Sequence, residues 1–200
     1  SVIWRNVARL LARSYRVYVF DWPGFGSSDR YAGQNISWDE QPRRLKELIA
    51  HWELDRPAVV AFDIAPLLLL RAHLFEDVPL GPLVLADAAV IPPFVTDFSR
   101  QAREAIGVMQ QLPGHIAEGM IAAHLRTATH TPMTDEVLDL YMQPWRGPEG
   151  TAAYWRAVAC YDENLAASLG PRLSDIELPV LVLWGEHDTW LSPSMGYRLA

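Results

Sequence analysis

Four short apolar runs, each ending in a turn, constrain this chain more than anything else in it: "RVYVF" at 16–20, "PAVVAF" at 57–62, "PLVLAD" at 82–87 and "PVLVLW" at 179–184. A strand with only one buried face alternates apolar and polar residues. These runs do not alternate, so each is expected to be buried on both faces, which is the signature of a parallel sheet covered by helices. The intervening stretches fit that reading. Val2, Ile3, Val7, Leu10 and Leu11 recur at helical spacing. "ISWDEQPRRLKELIAHWEL" reads as a helix with Ser37 as N-cap and Glu40 three residues on, a capping box. "PLLLLRAHLFE" reads as another, with Pro66 tolerated in its first turn.

The rhythm breaks between about 91 and 172, where the chain is helical, rich in Pro, Trp and Tyr, and without a convincing strand. The expected organisation is α/β: a mostly parallel sheet flanked by helices over 1–90 and 173–200, with a helical cap inserted at 91–172. The chain opens inside a helix-like pattern without Met and closes in the first turns of another. Both ends read as cuts from something longer, and exposed apolar strand edges predict poor solubility for the piece alone.

Composition removes several function classes. A net charge of −7 provides no basic stripe for neutralising nucleic-acid phosphates. The longest apolar run is interrupted by Asp63 and Pro66, which argues against a membrane span. The single cysteine, Cys160, cannot form an internal disulfide, so a cytoplasmic setting is expected. No His-x-x-His, cysteine pair or carboxylate cluster stands at metal-ligand spacing, so no metal or cofactor is expected. A small-molecule substrate remains, and oligomeric state is left open.

The chemistry is carried by acids at strand ends. In open parallel sheets, ligands bind beyond the carboxyl ends of the strands. Asp21, Asp63, Asp87 and Asp188 all fall there. Asp63 is the most informative, because an unpaired charge between two apolar runs costs several kcal/mol in a dry interior. It is either paired, with Arg71 or His73 as partner, or it stands at a sharp strand-to-helix elbow facing a cleft. Ala61 and Ala65, two residues before and two after, favour the elbow, whose strained centre leaves no room for bulk. Asp21 reads as structural, with its loop at the cleft mouth.

"VFDWPGFGSSDR", "AFDIAP" and "LVLWGEHDTWLSP", in that order and with a cap in the last gap, resemble the α/β-hydrolase fold across essentially the whole chain. Most members place Ser at the elbow. An Asp there is similar to haloalkane dehalogenases, fluoroacetate dehalogenases and epoxide hydrolases. The resemblance implies a cofactor-free hydrolase in which Asp63 attacks a carbon–halogen or epoxide carbon of a small apolar substrate and forms an alkyl ester. A His-activated water then cleaves the ester, the Ile64 amide holds the oxyanion, and Asp188 orients the His; Asp87 is the runner-up acid.

The departures are specific. Ile64 stands where two-Trp dehalogenases place Trp and fluoroacetate dehalogenases place Arg; Phe62 replaces His or Gln; Pro66 replaces Gly. Epoxide hydrolases use cap tyrosines as proton donors, and this cap offers Tyr141, Tyr154 and Tyr161. Trp145, Tyr154, Tyr161 and Trp190 are candidate pocket walls. None of His51, His73, His115, His124, His130 or His187 has the chain order of a triad His, and the resemblance puts that His and a His-Gly oxyanion segment outside these residues. The competing reading is a non-catalytic relative that keeps the fold as a binding module.

Overall fold

A computed structural model describes residues 1–200. In chain order the helices and strands are α1 (Arg5–Leu11), α2 (Gln41–His51), β1 (Val59–Phe62), α3 (Ala65–Phe75), β2 (Leu83–Ala86), α4 (Asp97–Glu104), α5 (Ile106–Met109), α6 (Gly114–Arg126), α7 (Asp135–Met142), α8 (Gly147–Ala159), α9 (Glu163–Leu169), β3 (Val180–Leu183) and α10 (Pro193–Leu199). The three strands form one parallel sheet in the order β1-β2-β3, flanked by helices, so the expected α/β class is correct.

Helix α3 explains why the core forms where it does. Leu67, Leu68, Leu69 and Leu70 are all buried, four in a row, which a helix achieves only when it is covered on every side. It packs on β1 on one side and on α2 and α9 on others. At about 1.5–3 kcal/mol per fully buried Leu, these four side chains alone supply on the order of 10 kcal/mol of gross burial energy.

A second, smaller apolar cluster is built by residues from α4, α6, α7 and α8 around Ile121 and Trp155. The chain therefore folds around two clusters. Helix α9 contributes Ala166 and Leu169 to the first. No helix is long and apolar enough to cross a membrane.

Two local expectations fail. Residues 16–20 carry no regular secondary structure and make no ladder hydrogen bonds; the sheet of residues 1–200 consists of β1, β2 and β3 alone. Tyr18 and Phe20 are held instead by aromatic contacts with Trp52, and Phe20 also meets Trp22. The second concerns the N-terminus of α2. Ser37 is not the cap: its carbonyl accepts from the Glu40 and Gln41 amides in a turn, and Glu40 is the residue before the helix. Pro42 decides the start, since a residue without N–H fits only the first helical turn.

Candidate active site

Register places the site. Phe62, Ala86 and Leu183 pair across the sheet, so β1, β2 and β3 end in one row. The next residues, Asp63 and Asp87, leave the sheet together, both with left-handed backbone (φ 60° and 42°). Such angles are strained for a residue with a Cβ and persist only where surroundings enforce them. Here the enforcement is the ladder: Asp63 N–H donates to Ala86 O (3.2 Å), Asp87 N–H to Leu183 O (3.0 Å), and Ala89 N–H to Asp63 O (2.8 Å). Asp63 therefore occupies a sharp elbow from β1 into α3, as the flanking alanines predict.

Its carboxylate accepts no hydrogen bond from any group of the chain. The paired alternative fails, because Arg71 is bound to Asp39, Ser168 and the Leu165 carbonyl, and the His73 ring to the Val78 carbonyl. Burial, reinforced by the nearby Asp188 and Asp87 carboxylates, pushes the Asp63 carboxyl up to about 6.

The other acids are better provided for. Asp87 Oδ1 accepts from Gly185 N–H (2.7 Å); burial still outweighs this and raises its pKa, with Asp188 adding repulsion. Asp188 Oδ1 accepts from the amides of Trp190 (2.8 Å) and Leu191 (2.9 Å). Asp21 accepts from Ser27 N–H and organises its own loop, where a Cβ on Gly26 would collide with its carboxylate.

The Ile64 amide, just beyond Asp63 and ahead of α3, donates to nothing, so one oxyanion-type donor is free at the elbow. Beside the row of acids lies a cleft of about 270 Å³, lined among others by Phe62, Asp87, Asp188, Gly185, Thr129 and His130. No Lys or Arg lines it.

The candidate residues of 91–172 and Trp190 separate clearly. Tyr141 is not at the site: it receives a hydrogen bond from Arg5 Nη1 (3.2 Å). Tyr154 and Tyr161 have no hydrogen-bond partner for their hydroxyls. Burial raises both above the usual phenol range, and Tyr161 is raised further by the Tyr154 hydroxyl and the Asp63 carboxylate. Trp145 packs edge-on against Tyr154 and Phe25. Trp190 donates its indole N–H to Thr127 Oγ1 (3.0 Å) and stacks on His124 at 4.3 Å, tying the loop after β3 to the end of α6. Burial pushes His124 down to about 4.

No histidine of residues 1–200 hydrogen-bonds any of the three acids. His187, adjacent to Asp188, packs against His130 instead, with ring centroids 4.2 Å apart and the planes tilted by 36°. No three His, Cys, Asp or Glu side chains come together as a metal site. Sequence reasoning missed Trp38, whose ring lies 5.3 Å from Tyr161 and 6.2 Å from Phe94, and Glu163, which bonds the Phe94 and Val95 amides. Both act through contacts distant in the chain, and no local pattern marks them.

The α/β hydrolase fold family matches residues 1–200. A 2-hydroxy-6-oxononadienedioate/2-hydroxy-6-oxononatrienedioate hydrolase of Klebsiella pneumoniae is 23% identical over 216 residues, covering 98% of this chain and 68% of that protein. An α/β hydrolase fold protein from Burkholderia ambifaria superposes with a TM-score of 0.95 at 30% identity, over 99% of this chain and 73% of that one. A structure described as an ancestral haloalkane dehalogenase superposes at 0.75 with 20% identity, over 100% and 74%, and shares the fold. Strand order, elbow and family match agree: the chain belongs to the α/β hydrolase fold family.

Proposed function

We propose that the protein is a hydrolase that opens small, uncharged epoxides through an ester on Asp63. The observation that carries this reading is the unpartnered Asp63 carboxylate with the unpartnered Tyr161 phenol within its electrostatic reach, and the Tyr154 phenol in turn within reach of Tyr161. An Asp63 oxygen attacks one epoxide carbon and the C–O bond breaks. The departing oxygen takes the proton of Tyr161, with Tyr154 donating a hydrogen bond. Water then attacks the ester carbonyl, the Ile64 amide holds the resulting oxyanion, the diol leaves with the Asp63 carboxylate regenerated, and the proton that water gives up returns to the Tyr161 phenolate. A phenol is a stronger acid than an alcohol, whose pKa is close to the value of about 15.7 for water, and the burial that raises the phenol raises the alkoxide's conjugate acid as well, so the transfer runs downhill. In this reading the separate apolar cluster of α4, α6, α7 and α8 supports 91–172 as a cap over the strand ends. Asp188 is assigned to orienting the histidine that activates water.

Carbon–halogen cleavage is the weaker form of the same scheme. A leaving halide needs N–H donors, and Trp190 has given its own to Thr127. Carbon–carbon hydrolysis, named for the Klebsiella relative, suits this site less: its named substrates are dioates, while three carboxylates, Asp87, Glu186 and Asp188, and no Lys or Arg line this cleft. Attack by a carboxylate on a ketone would also lead through an anhydride rather than a stable ester.

Ester formation needs no histidine, so residues 1–200 are expected to accumulate the adduct. Incubation with styrene oxide followed by peptide mass spectrometry should find the added mass on the Asp63 peptide. The rate should rise with pH to a plateau above about 6, where Asp63 is ionised. Asp63→Asn should abolish it, and Tyr161→Phe should slow it about 100-fold. An adduct elsewhere, or none, would return the molecule to the binding-module reading.

A further inference from the structure

The chain crosses between its two apolar clusters twice, outward through 91–96 and back through 160–162. Phe94 is buried in the larger cluster, while Phe98, four residues on, packs on the smaller. On the return, Val158 belongs to the smaller cluster and Tyr161 packs against both. A single side chain joins the two crossings. Glu163 Oε1 accepts from Phe94 N–H (2.5 Å) and Val95 N–H (3.0 Å), residues more than sixty positions away. Glu163 is itself fixed on the core side, because α9 is bound to α3 through Arg71, which donates to Ser168 Oγ (2.8 Å) and the Leu165 carbonyl (3.3 Å). Trp38, in the same core, fills the space between the crossings by packing on both Phe94 and Tyr161.

We propose that Glu163 is a positioning residue: it clasps the outgoing crossing to the returning one and thereby holds the Tyr161 hydroxyl over Asp63. The positioning half rests on the function proposed above; the clasp itself does not. Tyr161 lies two residues before Glu163 on a segment with no ladder or helix of its own, so its placement depends on what the crossing is tied to. The far rim of the cap is held independently, by Trp190 on His124 and Thr127 and by Arg156 on the Arg30 carbonyl (2.8 Å). Loss of the clasp should therefore loosen the hinge and leave the cap attached.

Two variants separate the roles. In Glu163→Gln the side-chain carbonyl still accepts both amides, whereas Glu163→Ala removes the acceptor. Hydrogen exchange of the peptide spanning 92–98 should accelerate about tenfold or more in Glu163→Ala and stay near wild type in Glu163→Gln. A misplacement on the order of 1 Å can cost 100-fold in rate. The styrene oxide adduct on Asp63 should accordingly form about 10- to 100-fold more slowly in Glu163→Ala, and within about threefold of wild type in Glu163→Gln. Unchanged exchange in Glu163→Ala overturns the clasp. Faster exchange with an unchanged adduct rate overturns the positioning role. Should wild type form no adduct, the reading of Asp63 fails together with the positioning half, and the exchange data still decide the clasp.

Discussion

The turns after β1 and β3 leave the same edge of one sheet, and each carries an aspartate, yet they are built oppositely. Asp188 closes its turn on itself: one oxygen collects the amides of Trp190 and Leu191, so the carboxylate is part of the loop's scaffold. Asp63 sits on a left-handed backbone angle, and its carboxylate is left without a donor. An unsatisfied carboxylate in a low-dielectric setting is expensive and is retained where its reactivity has a use. The pair teaches that a strand-end acid is chemically defined by the donors around it. Position in the topology is shared; availability is not.

The largest stability effect that would break this contrast is the pH dependence of Asp63. Its folded-state pKa, about 6, lies above the usual 3.8, so the folded chain binds the proton more tightly than the unfolded one. The stabilisation is therefore complete below about pH 4 and lost as pH rises to about 6, with a ceiling near 2–3 kcal/mol. His124 works the other way. Its pKa is lowered to about 4 by burial, so its contribution is present above about 6.5 and declines as pH falls toward 4. The two oppose each other in nearly the same window. Urea unfolding between pH 4 and 7 should find Asp63→Asn losing stability on acidification more steeply than wild type. A parallel profile would mean that Asp63 is not held in a costly environment.

Why some of this was legible in advance follows from range. Continuous apolar runs mark strands locally, and β1, β2 and β3 stand where they occur; the expected burial on both faces fails for β3, where Val180, Leu181 and Leu183 are exposed, and for Val60 of β1. The elbow was legible because small residues at 61 and 65 are local requirements of the turn. The strand expected at 16–20 failed because pairing needs a neighbour, which the run itself cannot encode. Ser37 failed because the nearby Pro42 competes for the helix start. What engages the hydroxyl of Tyr141 is Arg5, far along the chain, and what Glu163 holds is two amides equally remote. Contacts of this kind have no periodicity to betray them.

Asp188→Ala sharpens the comparison from the other side. Removing the acceptor orphans two amides, which should cost about 2 kcal/mol in urea unfolding, while Asp188→Asn keeps an oxygen for them and should cost under about 0.5. The same alanine variant removes one of the two carboxylates that raise Asp63, so the midpoint of the adduct-rate profile should move below 6. Equal stability of the two variants would show that Asp188 is not the scaffold of its loop.

The smallest effects concern Gly185, in the turn after β3, and Gly196, in α10, and distinguish close packing from hydrogen bonding. A Cβ on Gly196 would lie 2.6 Å from Cε3 of Trp184, and that ring is fixed by its N–H bond to the Leu191 carbonyl (2.8 Å). With nothing free to yield, Gly196→Ala should cost about 1–2 kcal/mol despite the better helix propensity of alanine in α10. A Cβ on Gly185 would meet Asp87 Oδ1 at 3.5 Å, an ordinary contact. Gly185→Ala should thus be within about 0.5 kcal/mol of wild type, because the turns after β2 and β3 are joined there through the backbone N–H, which alanine retains. If Gly185→Ala proved the costlier of the two, steric fit rather than that hydrogen bond would be what holds Asp87 beside Asp188, and the row of acids would owe its geometry to packing.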